Sequence, residues 1–363
     1  MKVAIVGGGI IGLAAALELR GHGVEVTLFD PAPGSEASTA AAGMLAPQKE
    51  ADAPGPFLDL CLRSRTLWPA FAAKVAERTG RPSTYLESGI LLSAFNDAEV
   101  HWLDATASWQ RACSLRVEVV TGDEARRLEP LLSDQVLSAG WFEDDHQIDP
   151  THFVPALIEA CRRADATLLP AQVTEIVEEK GKAVGVRHAG GFEAADRVLL
   201  TAGAWSSRIG GARLAPGLIE PIRGQRLALR GPRLPSRILG GPACYLIPRA
   251  DGRAVAGTTE ERVGFDKSVT ASGIEKILAA VAVLCPALAE AEVTRTWAGL
   301  RPYPTGELPV IGQGPLENLV LATGHFRNGV LLAPLTARLA SQVILDLKTT
   351  VDLKPFRYDR VPS

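Results

Sequence analysis

Four glycines near the start of the chain carry the clearest chemistry. Gly7-Gly8-Gly9-Ile10-Ile11-Gly12 follows the apolar stretch Val3-Ala4-Ile5-Val6 and has the G-x-G-x-x-G spacing. Gly7 allows a tight turn, Gly9 lets the backbone approach a diphosphate with no Cβ in the way, and Gly12 lets a helix pack close to a strand. A helix starting there presents unpaired N–H groups and its positive end to phosphates. Asp30 stands about 20 residues further on, where a carboxylate accepts hydrogen bonds from a ribose diol. An acid at that point disfavours a 2′-phosphate, so NADP fits poorly, while NAD and FAD, which share adenosine diphosphate, both remain open.

Other residues have the right chemistry without so specific a spacing. Arg301 follows Ala298-Gly299-Leu300 and precedes Pro302. A guanidinium there can grip a carboxylate by two parallel hydrogen bonds, although a solvated surface arginine is the commoner explanation for a single residue. His325 is an acid/base by type. The small residues Ala40–Gly43 suit close approach of backbone to a flat ring, or simply a surface loop. Glu143, Asp144, Asp145, His146, Asp149 and His152 resemble a row of metal ligands, but their spacing matches no zinc or calcium loop, and no metal is expected.

The elements that must hold these groups follow from periodicity. Lys2–Gly7 and Val24–Asp30 are expected as parallel strands around a helix over Ile10–Arg20, closed by Gly21 and Gly23. A small-residue loop runs from Gly34 to Pro47. Further helices are expected over Phe57–Thr79 with an interruption near Pro69, over Glu99–Ala112, over Pro150–Arg163, over Gly273–Leu284 and over Gly329–Leu347. Strands are expected over Gly89–Phe95, Val198–Thr201 and Leu319–Thr323, with a hairpin from Val173–Glu179 to Ala183–Arg187. The Gly- and Pro-rich stretch Ile219–Thr259 reads as strands and turns.

The chain has 363 residues, enough for about two domains. Charged residues are 22% and the net charge is −3, with no basic run, which argues against a nucleic-acid surface. The five cysteines are odd in number and show no CxxC pair, a pattern that fits reduced thiols in a cytoplasmic protein. No targeting segment and no apolar stretch of membrane-spanning length is read in the sequence.

Four segments carry a family resemblance over essentially the whole chain. Ser38-Thr39-Ala40-Ala41-Ala42-Gly43-Met44-Leu45-Ala46-Pro47 resembles the flavin-approaching loop of the glycine oxidases of thiamine biosynthesis, within the wider D-amino-acid-oxidase-like group of FAD enzymes. Cys244-Tyr245-Leu246-Ile247-Pro248-Arg249 is similar to that family's substrate-side strand. Trp297-Ala298-Gly299-Leu300-Arg301-Pro302 is similar to its substrate-arginine segment, and Gly324-His325-Phe326-Arg327-Asn328-Gly329 to its flavin-facing turn.

The resemblance implies an α/β plus α+β chain: a discontinuous FAD-binding Rossmann-like domain of glutathione-reductase type (1–85, 146–218 and 296–363) with an inserted, mainly antiparallel substrate domain (86–145 and 219–295). It implies non-covalent FAD and oxidative deamination of glycine, and of sarcosine or small D-amino acids, by hydride transfer to flavin N5. The products would be glyoxylate, ammonia and hydrogen peroxide, and the imine could feed thiazole synthesis. The alternative is a flavin dehydrogenase for D-amino or N-methyl amino acids that uses an acceptor other than oxygen. A homotetramer, an amino-acid substrate and oxygen are the implied partners.

Residue by residue, the resemblance gives Arg301, Tyr245 and Arg327 to the substrate. It gives Gly7, Gly9, Ile10, Ile11, Gly12, Asp30, Pro31, Ala37, Ser38, Ala42, Gly43, Met44, Val173, Gly203, Arg301, His325, Phe326, Arg327, Asn328, Gly329, Val330 and Leu331 to the cofactor. Covalent flavin is not expected, because no cysteine lies near Leu300–Tyr303; Cys285 lies earlier, in the preceding helix. Ala243 and Glu260 stand where some glycine oxidases carry histidine and methionine. Ala243 would widen the pocket mouth and Glu260 would add negative charge.

Overall fold

The computed structural model describes residues 1–360; the last three positions of the expected 296–363 segment lie outside the described residues. The first strand, Lys2–Val6, lies inside a six-stranded sheet in the order Val310–Gln313, Leu319–Thr323, Arg197–Leu200, Lys2–Val6, Glu25–Phe29, Thr167–Leu169. All neighbours pair in parallel except the antiparallel edge Val310–Gln313. Both faces of such a sheet must be covered, and the alternation along one strand shows how. Val3 and Ile5 point into a helical layer formed by Ile10–Gly21, Pro56–Thr79, Pro150–Arg163 and Gly329–Ile344, whereas Ala4 and Val6 pack against the meander Val173–Glu179, Lys182–His188, Gly191–Ala194. The expected hairpin is thus two strands of three.

The second large sheet has eight strands, in the order Glu292–Pro304, Ile219–Arg230, Ala254–Gly257, Tyr245–Pro248, Ile238–Gly240, Ile90–Ala94, Ser138–Phe142, Glu118–Thr121. Its pairs are antiparallel apart from Ile238–Gly240 on Ile90–Ala94. The boundary expected at residue 296 falls inside Glu292–Pro304, which pairs with Ile219–Arg230 along its length. Those hydrogen bonds attach Glu292–Pro304 to the substrate-side sheet. The boundary at 85/86 likewise cuts Tyr85–Leu86, a strand of the small sheet with Met44–Leu45 and His146–Ile148.

Two helix expectations change. Pro56–Thr79 is continuous through Pro69. A proline inside a helix costs ~3 kcal/mol, but the residue before it, Trp68, is fully buried and donates from Nε1 to the Leu331 carbonyl at 2.9 Å. Burying an indole offsets a cost of that size. The last helix stops at Ile344 rather than Leu347, because Asp346 adopts a left-handed φ of 56° that ends the helical path.

Candidate active site

The sequence before the first helix folds into a cradle because its glycines let backbone meet backbone. At Gly12 a Cβ would lie 2.0 Å from the Gly7 carbonyl oxygen, so the helix can start only where no side chain exists. Gly7 adopts φ +108° and abuts Thr201 and Ala202 at the end of the neighbouring strand. Asp30 closes the cradle from the other side, its Oδ2 accepting from the Gly8 N–H at 2.7 Å and its Oδ1 from the Ala32 N–H at 2.8 Å. Ser38 Oγ accepts from the Ile10 N–H at 2.8 Å. The Ile11 and Gly12 amides bond to nothing among the described residues, which leaves two N–H donors and the helix's positive end for an anion.

This cradle is one end of a cavity of about 870 Å³ that runs between the two sheets. Nearly all the residues expected from the sequence line it: Gly7, Gly9, Ile10, Ile11, Asp30, Pro31, Ala37, Ser38, Ala42, Gly43, Met44, Val173, Gly203, Tyr245, Arg301, His325, Phe326, Arg327, Asn328, Gly329 and Val330. Two of them do not. Gly12 has the packing task its spacing suggested. Leu331 is buried in the helical core, and its carbonyl is taken by Ser64 Oγ and Trp68 Nε1.

The substrate-side wall is built on a pair of glycines. Gly224 and Gly299 face each other across Ile219–Arg230 and Glu292–Pro304. A Cβ on Gly224 would lie 2.3 Å from Arg301 Nη2, and one on Gly299 would lie 2.6 Å from the Ala40 Cβ. The first gap lets the Arg301 guanidinium lie flat on the sheet; the second lets the loop carrying Ala40 close on it. Arg301 is 7% exposed. Its Nη2 donates to Thr258 Oγ1 at 2.7 Å and its Nη1 to the Thr259 carbonyl at 3.2 Å. No carboxylate pairs with it among the described residues. Burial, with the Arg226 charge adding to it, pushes its pKa down to about 10. A buried cation without a counter-ion is an anion site.

Sequence reasoning missed Arg226, which lines the same cavity at 6% exposure. Its Nε donates to Tyr245 Oη at 2.8 Å, so the phenol proton remains available to an acceptor in the cavity. Lys49 and Glu50 were missed too. They form part of the wall, and Glu50 is held below the usual carboxylate range by Lys49 first, then Arg327 and Arg301, against its own burial. Arg327 is half exposed and ion-paired with Glu260, with Glu50 Oε2 at 3.8 Å from its Nη1. Glu260 therefore neutralises Arg327, one of the three residues that the resemblance gave to the substrate. No local spacing signals the contacts of Arg226 with Tyr245 or of Arg327 with Glu260 and Glu50, because each joins separate segments of the chain.

His325 is buried, with Nε2 3.1 Å from Thr336 Oγ1, and burial pushes its pKa down to about 3. It is a neutral hydrogen-bonding group and too weak a base to take a proton at neutral pH. Cys244 also lines the cavity, and burial pushes its thiol up to about 12, so no thiolate is available there.

The acidic row has structural work. Asp145 is buried and binds Arg65 and the backbone of Gln48 and Lys49. Glu143 and Asp144 pair with Arg116. Asp149 caps the following helix through Thr151. Asp149, His152 and Asp251 do place potential ligand atoms within 4.8 Å of one another, but the buried Arg249 guanidinium, 4.0 Å from Asp149, opposes a metal ion.

Comparison with known proteins agrees with this geometry. The family model described as "FAD dependent oxidoreductase" matches residues 2–343. A bifunctional ThiO/ThiG protein of Synechocystis is 36% identical over 99% of this chain, which spans about half (54%) of that relative's length. A glycine oxidase of Geobacillus kaustophilus is 35% identical over 99% of this chain and 96% of its own. The crystal structure of glycine oxidase from that organism superposes with a TM-score of 0.96 over 100% of both chains, at 33% identity. No helix among the described residues is long and apolar enough to cross a membrane.

Proposed function

This chain belongs to the FAD dependent oxidoreductase family, and from that premise we propose that it oxidises small amino acids, with glycine as substrate and oxygen as the final acceptor. One observation carries the reading: the buried Arg301 guanidinium, without a carboxylate partner, faces the same cavity as the diphosphate cradle. A dinucleotide at the cradle and a carboxylate at Arg301 then share one enclosed space. The glycine oxidase names of the relatives support the choice of substrate.

The residues divide the work. The Ile11 amide and the helix end would take the FAD diphosphate, with Asp30 at the adenosine side. Bound FAD supplies the acceptor for the Cα hydrogen with its electron pair, and oxygen takes the electrons on as hydrogen peroxide. Arg301 binds the substrate carboxylate, steadied by Thr258 and Thr259. Tyr245 donates its hydroxyl to the same group. The substrate reacts with its amine neutral, and with His325 too weak a base, positioning carries the step. The positive end of Gly329–Ile344 faces the cavity through Asn328, Gly329 and Val330 and favours negative charge developing there. Water hydrolyses the product imine to glyoxylate and ammonia. The resemblance set out above supports delivery of that imine to thiazole synthesis and a homotetrameric assembly, and the odd cysteine count without a CxxC pair supports a cytoplasmic location.

Anaerobic titration of the purified flavoprotein with glycine, sarcosine and D-alanine tests the reading. Glycine is expected to bleach the flavin bands, and peroxide is expected once air is admitted. Bleaching by none of the three would overturn it; bleaching without peroxide would point to a dehydrogenase.

A further inference from the structure

We propose that Arg226 is a positioning residue that presets the carboxylate site by fixing the Tyr245 hydroxyl and the Ala40 loop together. The inference rests on the amino-acid reading above and deepens it.

The register of four neighbouring strands sets Trp297, Arg226, Gly257 and Tyr245 in one row across the sheet. Gly257 is the gap in that row. A Cβ there would lie 2.8 Å from Tyr245 Oη and 3.0 Å from Arg226 Cγ. Because the position is bare, the two side chains meet over it, and Arg226 Nε reaches Tyr245 Oη at 2.8 Å. The same guanidinium donates from Nη1 to the Ala40 carbonyl at 2.7 Å, an oxygen that also accepts from Trp297 Nε1 at 3.1 Å. One planar group thus ties the substrate-side phenol to the small-residue loop on the cofactor side.

Charge separates this from a packing role. Arg223, three residues earlier on the same strand and as deeply buried, is neutralised by Glu261 and Asp266. Arg226 has no carboxylate partner among the described residues, and it faces a cavity that already holds the uncompensated Arg301. Burying two unpaired guanidiniums beside each other is costly unless an anion joins them. With Arg226 Nε occupying a lone pair of Tyr245 Oη, the phenol acts as a donor to that anion. The substrate carboxylate then meets Arg301, a pre-aimed hydroxyl and a second positive charge.

The test uses the FAD-loaded enzyme and acetate as a carboxylate probe, read from its perturbation of the visible flavin spectrum, alongside glycine kinetics. Removing a charged hydrogen bond of this kind in Arg226→Met is expected to raise the acetate Kd roughly tenfold to a hundredfold. KM for glycine should rise by more than kcat falls. Tyr245→Phe added to Arg226→Met should cost little beyond the first change, since the two residues act as a unit. Should Arg226→Met lose its flavin, Arg226→Lys carries the same measurement: it keeps the charge but not the fork, and a raised Kd is expected. An unaltered acetate Kd, or strictly additive effects of the two substitutions, would overturn the role of Arg226 alone. A wild-type enzyme that neither binds acetate nor is reduced by glycine would overturn the amino-acid reading and this inference with it.

Discussion

Replacing Arg301 with alanine separates affinity from stability in a way that a surface arginine could not. In the folded protein the guanidinium is 7% exposed and has no anionic partner among the described residues, and burial, with the Arg226 charge adding to it, pushes its pKa down to about 10. That displacement corresponds to roughly 3 kcal/mol of strain on the charged form. A bound carboxylate relieves the strain and adds two charge-assisted hydrogen bonds, so losing the residue should cost ligand binding ~3–5 kcal/mol. At about 1.4 kcal/mol per factor of ten, this is on the order of a hundredfold to several thousandfold in Kd. The flavin content should persist, because the diphosphate cradle lies at the other end of the cavity. The thermal midpoint of the ligand-free holoenzyme should fall little, since removing an unpaired buried charge offsets the lost packing. The assay is anaerobic flavin reduction across a glycine series, with acetate Kd measured in parallel. Glycine kinetics and acetate affinity equal to wild type would refute the argument.

The sign of the pH dependence follows. Only the cation binds a carboxylate, so acetate affinity should be level from the pH at which acetate is fully ionised up to the folded pKa of about 10. Above it, affinity should fall about tenfold per pH unit.

Three further outcomes are expected. Gly9→Val should give folded protein without flavin, because a Cβ at Gly9 meets only Ser38 Oγ, at 3.2 Å, and the larger side chain enters the cavity; full flavin absorbance after purification would count against the diphosphate cradle. Gly224→Ala should displace the Arg301 guanidinium, whose Nη2 would otherwise lie 2.3 Å from the new methyl group, raising KM for glycine while the flavin stays bound; an unchanged KM would contradict the glycine-pair argument. His325, with a pKa lowered from 6.5 to about 3, binds a proton more readily unfolded than folded. Its contribution to stability is complete above pH ~6.5 and is lost toward pH ~3 at about 1.4 kcal/mol per unit, so His325→Gln should flatten acid unfolding over that window, and an identical slope would refute the buried neutral imidazole.

The diphosphate end of the site was legible because its parts are close in the chain. A strand, a glycine turn and a helix start occupy residues 2–21, and Gly12 is required by a contact within that stretch, against the Gly7 carbonyl. Four strands of the six-stranded sheet were legible for the same reason, period and turn residues being local properties, whereas the edge strands Thr167–Leu169 and Val310–Gln313 were not read. That Leu331 lies in the helical core rather than on the cavity was not legible, because a position at a helix start says nothing about which face of the helix meets the core. Pro69 was misread because the tertiary anchor at Trp68, not the local propensity, decides whether that helix continues.

The substrate end was decided by register. Nothing near Arg226 in the sequence distinguishes it from Arg223, yet one side chain faces the cavity unpaired and the other is neutralised by Glu261 and Asp266. Which face each takes depends on how Ile219–Arg230 pairs with Ala254–Gly257 and Glu292–Pro304, and a slip of one residue would exchange them. Residue types and spacing therefore determined that a dinucleotide cradle exists and where it begins. Only the pairing of strands distant in sequence, with bare positions at Gly224, Gly257 and Gly299, decided where the cations stand and which of them remain free for a carboxylate.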